Sequence, residues 1–186
     1  MKILVTGGVR SGKSAHAESL VSGAAAVTYV APGPVPDGND PEWAARISAH
    51  RERRPGHWTT IETADLAGVL GGLDKLDHRR ELDHGGSTVL VDCLGTWLTA
   101  VIDGLDGWET PKAAWEDAFE ATLDAAVMAV AEADSIVLVT NEVGLGVVPA
   151  HPSGRLFRDL LGTVNQRFAA TCDEVHLVIA GRVLKL

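Results

Sequence analysis

One glycine-rich segment near the amino terminus constrains the fold of this chain more than any other feature. The segment Gly7-Gly8-Val9-Arg10-Ser11-Gly12-Lys13-Ser14 follows a short apolar run, residues 2–6, and precedes a pattern typical of a helix. Its spacing is G-x-x-x-x-G-K-[ST], in which glycines let a loop fold so tightly that its amide N–H groups converge on phosphate oxygens. The sequence therefore predicts a phosphate-binding loop, or P-loop, between the first strand and the first helix.

The last two residues of this motif carry its chemistry. Lys13 can reach the β- and γ-phosphates of a nucleotide, and the Ser14 hydroxyl is placed to ligate Mg²⁺. The helix that begins near Lys13 adds the positive end of its dipole. A glycine-rich turn with a chance lysine is the alternative, which the complete motif and its flanking elements disfavour. The nucleotide-binding residues predicted here are Gly7, Gly8, Val9, Arg10, Ser11, Gly12, Lys13, Ser14 and Ala15.

Strand and helix patterns alternate along almost the whole chain. This alternation predicts an α/β fold of the P-loop NTPase type, with right-handed βαβ crossovers, a mainly parallel sheet of about seven strands and flanking helices. Because Gly181 separates the last two strand patterns, they are expected to form a hairpin with an antiparallel edge strand. Strands are predicted at 2–6, 27–30, 59–62, 88–92, 135–140, 174–179 and 183–186, and helices at 13–21, 41–53, 65–73, 94–102, 110–131 and 155–170.

Length and charge limit the remaining possibilities. A chain of 186 residues suits a single domain, here 1–186, and its net charge of −9 argues against a broad nucleic-acid or anionic-membrane surface. No apolar run reaches the roughly 20 residues of a membrane span, and the opening run is too short for a signal peptide. We therefore expect a cytoplasmic protein. The segments 32–40 and 74–86 are predicted to be loops.

Polar side chains follow two of the buried strands. Asp92 closes an apolar strand at the sheet edge where ligands of parallel sheets collect, so it is a candidate Mg²⁺ ligand beside Ser14. It could instead cap the next helix. Asn141 and Glu142 end the following strand at the same edge, where they could touch substrate, metal or the attacking group, or simply form a turn.

A second group of candidate functional residues lies at 46–55. Four arginines and His50 fall within these ten positions, a local basic patch suited to a polyphosphate. His50 would lie near the end of a helix that stops before Pro55. Its imidazole could act as a base or as a nucleophile toward phosphorus, or it could be a packed histidine. No N-K-x-D sequence occurs, so the guanine-reading signature of switch GTPases is missing.

Three segments together resemble one family. They are VTGGVRSGKS at 5–14, R-I-x-x-H-R-x-x-R-P-x-x-W-x-T-x-E at 46–62 and TNEVGLGVVP at 140–149. The family is that of the adenosylcobinamide kinases/adenosylcobinamide-phosphate guanylyltransferases of cobalamin biosynthesis. The likeness spans nearly the whole chain. The proline-rich loop at 32–40 and the Arg182-Val183 tail depart from the family pattern.

The resemblance implies a bifunctional enzyme. Such an enzyme phosphorylates adenosylcobinamide with ATP or GTP, then transfers GMP from GTP to adenosylcobinamide phosphate through a guanylylated histidine, releasing pyrophosphate. The histidine falls on His50, with Lys13 as the second catalytic residue. The resemblance also implies a homotrimer. The guanine nucleotide would be held by Gly33, Pro34, Val35, Arg51, Glu52, Arg53, Arg54, Glu62 and Asp92, besides the P-loop.

Two other functions remain open from the residues alone. A kinase of another small alcohol would use the P-loop and give His50 no role. A nucleotide-dependent regulatory protein would turn over neither substrate.

Overall fold

The computed structural model describes residues 1–33, 45, 48, 51, 54–77 and 87–186, with only the backbone described for residues 74–77. Its strands form one seven-stranded sheet, flanked by helices on both faces. The strands are β1 Lys2–Gly7, β2 Ala26–Ala31, β3 Thr59–Glu62, β4 Ser87–Asp92, β5 Ile136–Val139, β6 Glu174–Ile179 and β7 Arg182–Lys185. The helices are α1 Lys13–Val21, α2 Leu66–Asp77, α3 Leu94–Gly104, α4 Glu116–Glu132 and α5 Pro152–Ala169.

The sheet order β3-β2-β4-β5-β1-β6-β7 places the glycine-rich loop near the middle of the sheet. Neighbouring strands run parallel from β3 to β6, and β7 pairs antiparallel with β6. The turn between the last two strands contains Ala180 and Gly181, with φ of 49° and 74°. Two consecutive left-handed residues are typical of the tight turns that match strand twist in hairpins. The predicted fold class, including the antiparallel edge, is confirmed.

The core explains why the sequences of the central strands are continuous apolar runs. Alternate residues of β5 enter two separate clusters: Ile136 and Leu138 face α2, α3, α4 and α5, whereas Val137 and Val139 face α1. All four side chains are fully buried. Because helices cover both faces of the sheet, β5 is apolar on both of its faces.

Two predicted helices begin at other residues in the structure. The helix expected at 110–131 is broken, with a 3-10 turn at Lys112–Ala114 before α4 begins at Glu116. The buried Trp115 occupies the junction and donates its indole N–H to the Thr110 carbonyl at 3.1 Å. The α5 helix begins at Pro152, earlier than expected, because proline is preorganised for the first helical position.

The predicted loop at 74–86 was also partly wrong, because residues 74–77 continue α2. Its remaining residues lie outside the described part of the chain. For the helix predicted at 41–53, the described residues 45, 48 and 51 are helical. Within the described ranges, no helix combines the length and apolar character needed to cross a membrane.

A chain of polar contacts joins α1 to the β6–β7 hairpin. His176 is 1% exposed, and its Nε2 lies 2.8 Å from Glu174 Oε2 while its Nδ1 lies 2.9 Å from His16 Nε2. Lys185 donates to the same Glu174 oxygen at 2.7 Å. The carboxylate requires an N–H on His176 Nε2, so Nδ1 of a neutral His176 accepts a hydrogen bond from His16. No local sequence pattern indicates this contact, because the two histidines lie 160 positions apart.

The surroundings of His16 make stability depend on pH. Burial lowers the pKa of His16 below 6.5, and the nearby His176 and Lys185 lower it further. The unfolded chain therefore binds a proton that the folded chain resists, so stability is lost as pH falls from about 6.5 toward the lower folded pKa. We expect His16→Gln to reduce the fall in unfolding free energy between pH 7.5 and 5.5, measured by urea titration. The exposed His151→Gln serves as the control; if it changes the pH dependence equally, His16 is not the group responsible.

Candidate nucleotide-binding site

The glycine-rich loop joins β1 to α1 through a series of tight turns. Arg10 and Gly12 have φ of 57° and 98°, and the Ser11 N–H donates to the Gly8 carbonyl at 3.2 Å. Left-handed residues in a tight loop turn neighbouring amide N–H groups toward one concave side, where an anion binds. The Gly181 N–H donates to the Ser11 carbonyl at 2.8 Å, so the β6–β7 turn supports the loop from outside.

The lysine of the motif lies across this loop. Lys13 is 7% exposed, and its Nζ donates to the Gly8 carbonyl at 3.1 Å. Ser14 follows it in the first turn of α1 and is half-buried. The loop thus collects an ammonium group, a hydroxyl and the amino end of a helix, which is the arrangement that binds the phosphates of a nucleotide.

The first glycine of the motif packs too closely against β6 to carry a side chain. A Cβ at Gly7 would collide with the Val178 carbonyl oxygen and lie 2.7 Å from Ser11 Oγ, whereas a Cβ at Gly8 meets no described atom within 4 Å. Gly7→Ala must shift backbone, and overpacking of this kind costs about 1–3 kcal/mol. We expect urea unfolding to show that loss for Gly7→Ala and a much smaller change for Gly8→Ala; equal losses would contradict the steric explanation.

The candidate metal ligand Asp92 lies at the carboxyl edge of the sheet. It ends β4, two strands from β1, and pairs in register with Val139 of the intervening β5. Its carboxylate lies close enough to Tyr29 on β2 to raise the pKa of the phenol. A hydroxyl from Ser14 and a carboxylate from Asp92 are the hard oxygen donors that Mg²⁺ prefers, so the residues fit this ion.

Arg54 belongs to the same group of side chains. Its guanidinium carbon lies 3.5 Å from the centre of the Tyr29 ring, so the cation stacks on the aromatic face. Burial raises the pKa of Tyr29 strongly, and the neighbouring Asp92 raises it further, so the phenol stays protonated. Tyr29 therefore joins two of the predicted site residues, Arg54 and Asp92.

The outer end of the site is formed by β3. Glu62 ends this strand and forms an ion pair with Arg51, and Arg54 Nη1 lies 3.5 Å from Thr60 Oγ1. Gly33 follows the end of β2. The structure thus brings Arg51, Arg54, Glu62 and Asp92 to the carboxyl edge that also holds the P-loop. Five predicted site residues lie outside the described ranges: Pro34, Val35, His50, Glu52 and Arg53.

The loop between β5 and α5, residues 140–151, is held in place by side chains of α5. Asn165 accepts a hydrogen bond from the Thr140 hydroxyl at 2.6 Å and donates to the Asn141 carbonyl at 3.0 Å. Arg155 donates to the Pro149 carbonyl at 3.0 Å. Sequence reasoning singled out Asn141 and Glu142 but not these supports. The amphipathic pattern of α5 is the sequence feature that indicates polar side chains on this helix.

A P-loop beneath the carboxyl edge of a mainly parallel sheet defines a P-loop nucleotide-binding protein. The fold is similar to that of a prototypical ATPase from the type III secretion system of pathogenic bacteria, with a TM-score of 0.55 and 10% identity. The alignment covers 94% of this chain but half of that one.

The sequence comparison then identifies the family. The family model for cobinamide kinase / cobinamide phosphate guanyltransferase matches residues 3–186, and the chain belongs to this family. The chain is 40% identical to the bifunctional adenosylcobalamin biosynthesis protein CobU of Salmonella typhimurium and 39% identical to CobU of Escherichia coli, covering 99% of each. It is 37% identical to the bifunctional protein CobP of Pseudomonas aeruginosa, covering 97% of that relative. The resemblance inferred from three sequence segments is thereby confirmed.

Proposed function

We propose that this protein catalyses two successive steps of cobalamin biosynthesis. It phosphorylates the hydroxyl of adenosylcobinamide with ATP or GTP, and then transfers GMP from GTP to the resulting phosphate, giving adenosyl-GDP-cobinamide and pyrophosphate. The observation that carries the proposal is family membership across residues 3–186, together with a P-loop whose Lys13 lies across the phosphate-binding turn.

In the kinase step, the P-loop holds the β- and γ-phosphates. The amides of residues 7–15 donate to phosphate oxygens, and Lys13 offsets the negative charge that shifts to the leaving group. Bound by Ser14 and Asp92, Mg²⁺ would supply further neutralisation of the phosphate charge. The protein positions the reacting groups and stabilises charge, while the nucleotide provides the reactive phosphoryl group.

In the transferase step, we assign the nucleophile to His50. Its imidazole nitrogen attacks the α-phosphorus of GTP, a P–N bond forms, and the bond from the α-phosphorus to the bridging oxygen breaks as pyrophosphate leaves. An oxygen of adenosylcobinamide phosphate then displaces the histidine. A covalent nucleophile splits one displacement into two steps. We expect Gly33, Pro34, Val35, Arg51, Glu52, Arg53, Arg54, Glu62 and Asp92 to hold the guanine nucleotide during this step.

We further propose a homotrimer acting in the cytoplasm. The exposed apolar side chains of Ile179, Leu184 and Leu186 at the hairpin edge offer a surface for subunit contact. Size-exclusion chromatography with light scattering measures the subunit number directly, and a monomeric mass at micromolar concentration would contradict the trimer.

The test of the function separates the two reactions. Mass spectrometry should show adenosylcobinamide gaining one phosphate with ATP, then one GMP when GTP is added. Pyrophosphate release should equal GMP transfer. A kinase of another small alcohol, the alternative, would leave adenosylcobinamide unchanged and release no pyrophosphate from GTP.

A further inference from the structure

The β5–α5 loop runs directly beside the P-loop. The Thr140 N–H donates to the Val5 carbonyl at 2.9 Å, and the Glu142 N–H donates to the Gly7 carbonyl at 3.1 Å. Pairing between β5 and β1 therefore continues past the end of β5 as far as the first glycine of the motif. This continuation places Glu142 next to the phosphate-binding turn.

One oxygen of the Glu142 carboxylate has a structural role. Oε1 accepts the Gly144 N–H at 2.7 Å, which fixes the orientation of the side chain within the loop. Glu142 is half-buried, and the supports from α5 limit how far this loop can move. The second oxygen, Oε2, is not engaged by this bond, and a carboxylate oxygen held in a defined position can act as a proton acceptor.

The other carboxylates at this edge have different surroundings. Asp92 contacts Tyr29 and fits the metal site, and Glu62 pairs with Arg51 at the far end of the sheet. Of the three described carboxylates that end β3, end β4 or follow β5, Glu142 is the one beside the P-loop strand. It is thus best placed to meet a group that approaches the γ-phosphate.

We propose that Glu142 takes the proton from the acceptor alcohol in the kinase step. The alcohol oxygen attacks the γ-phosphorus, an O–P bond forms, and the bond from the γ-phosphorus to the β–γ bridging oxygen breaks with its electron pair leaving on the nucleoside diphosphate. The hydroxyl proton passes to Glu142 Oε2 and then to solvent. This assignment rests on the proposed kinase function and adds to it the residue that activates the acceptor.

The same loop has the surface that a large acceptor needs. Leu145 and Val147 are 85% and 96% exposed, although hydrogen bonds from α5 hold the backbone around them. Exposed apolar side chains on a loop that is held by hydrogen bonds can contact the apolar part of an alcohol whose hydroxyl reaches Glu142.

The test is Glu142→Gln, which keeps the shape and the oxygen that accepts the Gly144 N–H but removes the proton-accepting oxygen. We expect kcat for phosphorylation of adenosylcobinamide to fall by about 10²–10⁴-fold, the usual contribution of a general base. The KM for nucleotide and the labelling of the protein by α-labelled GTP should stay within about twofold, because neither depends on deprotonating an alcohol. Glu132→Gln, exposed at the end of α4, is the matched control.

The outcomes discriminate between the proposals. A kinase rate for Glu142→Gln within threefold of wild type would overturn the assignment. So would equal loss of kinase activity and GTP labelling, which indicates damage to the P-loop. If Glu142→Gln unfolds, the same measurements are made on Glu142→Asp. Partial kinase activity with full labelling of the protein then supports the assignment, and unchanged kinase activity refutes it. A wild-type protein that does not phosphorylate adenosylcobinamide refutes the proposed function itself.

Discussion

Replacing Lys13 with alanine should lower the rate of both reactions by about 10²–10³-fold, the usual cost of losing one preorganised group that stabilises charge in the transition state. Lys13 is buried against the loop, with Nζ 3.1 Å from the Gly8 carbonyl, so its ammonium group is held in position before the nucleotide binds. Both steps break a bond within the triphosphate, and both leaving groups carry charge that this ammonium offsets.

Steady-state kinetics with ATP and with GTP would measure the effect, with nucleotide affinity from calorimetry. The matched control is Lys112→Ala, whose ammonium forms an exposed ion pair with Glu116 at 2.7 Å; such pairs contribute little to stability. Urea unfolding of both variants shows whether they remain folded. If Lys13→Ala retains both activities within tenfold, the P-loop is not where the triphosphate reacts.

Replacing His50 with alanine should abolish GMP transfer while leaving phosphorylation of adenosylcobinamide within about threefold of wild type. Loss of a covalent nucleophile removes the pathway through the guanylylated protein, and losses of about 10³-fold or more are usual when a nucleophile is removed. The kinase step involves the γ-phosphate and needs no attack by the histidine, so the two activities should separate in this one variant.

The measurement uses α-labelled GTP and the denatured protein. Wild type should carry a label that is released by acid and resists base, as expected for a phosphorus–nitrogen bond to histidine. His57→Ala is the matched control, because His57 is exposed in the turn before β3 and should not alter labelling. Equal labelling of His50→Ala and wild type would contradict the covalent mechanism, and so would an absence of label on wild type.

The sequence by itself determined the local structure around the P-loop. The spacing of Gly7, Gly12 and Lys13 predicted a loop between a strand and a helix, and the helix was found at Lys13–Val21 as expected. The strands at Thr59–Glu62 and Glu174–Ile179 also matched their predicted bounds. These features depend on backbone preferences and hydrophobic periodicity, which act over a few neighbouring residues.

The tertiary structure alone decided which side chains meet. Tyr29 lies between Arg54 and Asp92 because β2 pairs with β4, and Glu142 reaches Gly7 because β5 pairs with β1. His16 and His176 are 160 positions apart in sequence yet within hydrogen-bonding distance. The order of strands in a sheet follows from packing the whole core, so no local pattern encodes these contacts. For the same reason eight residues were enough to predict the P-loop, whereas the contacts around Glu142 could be identified only from the folded structure.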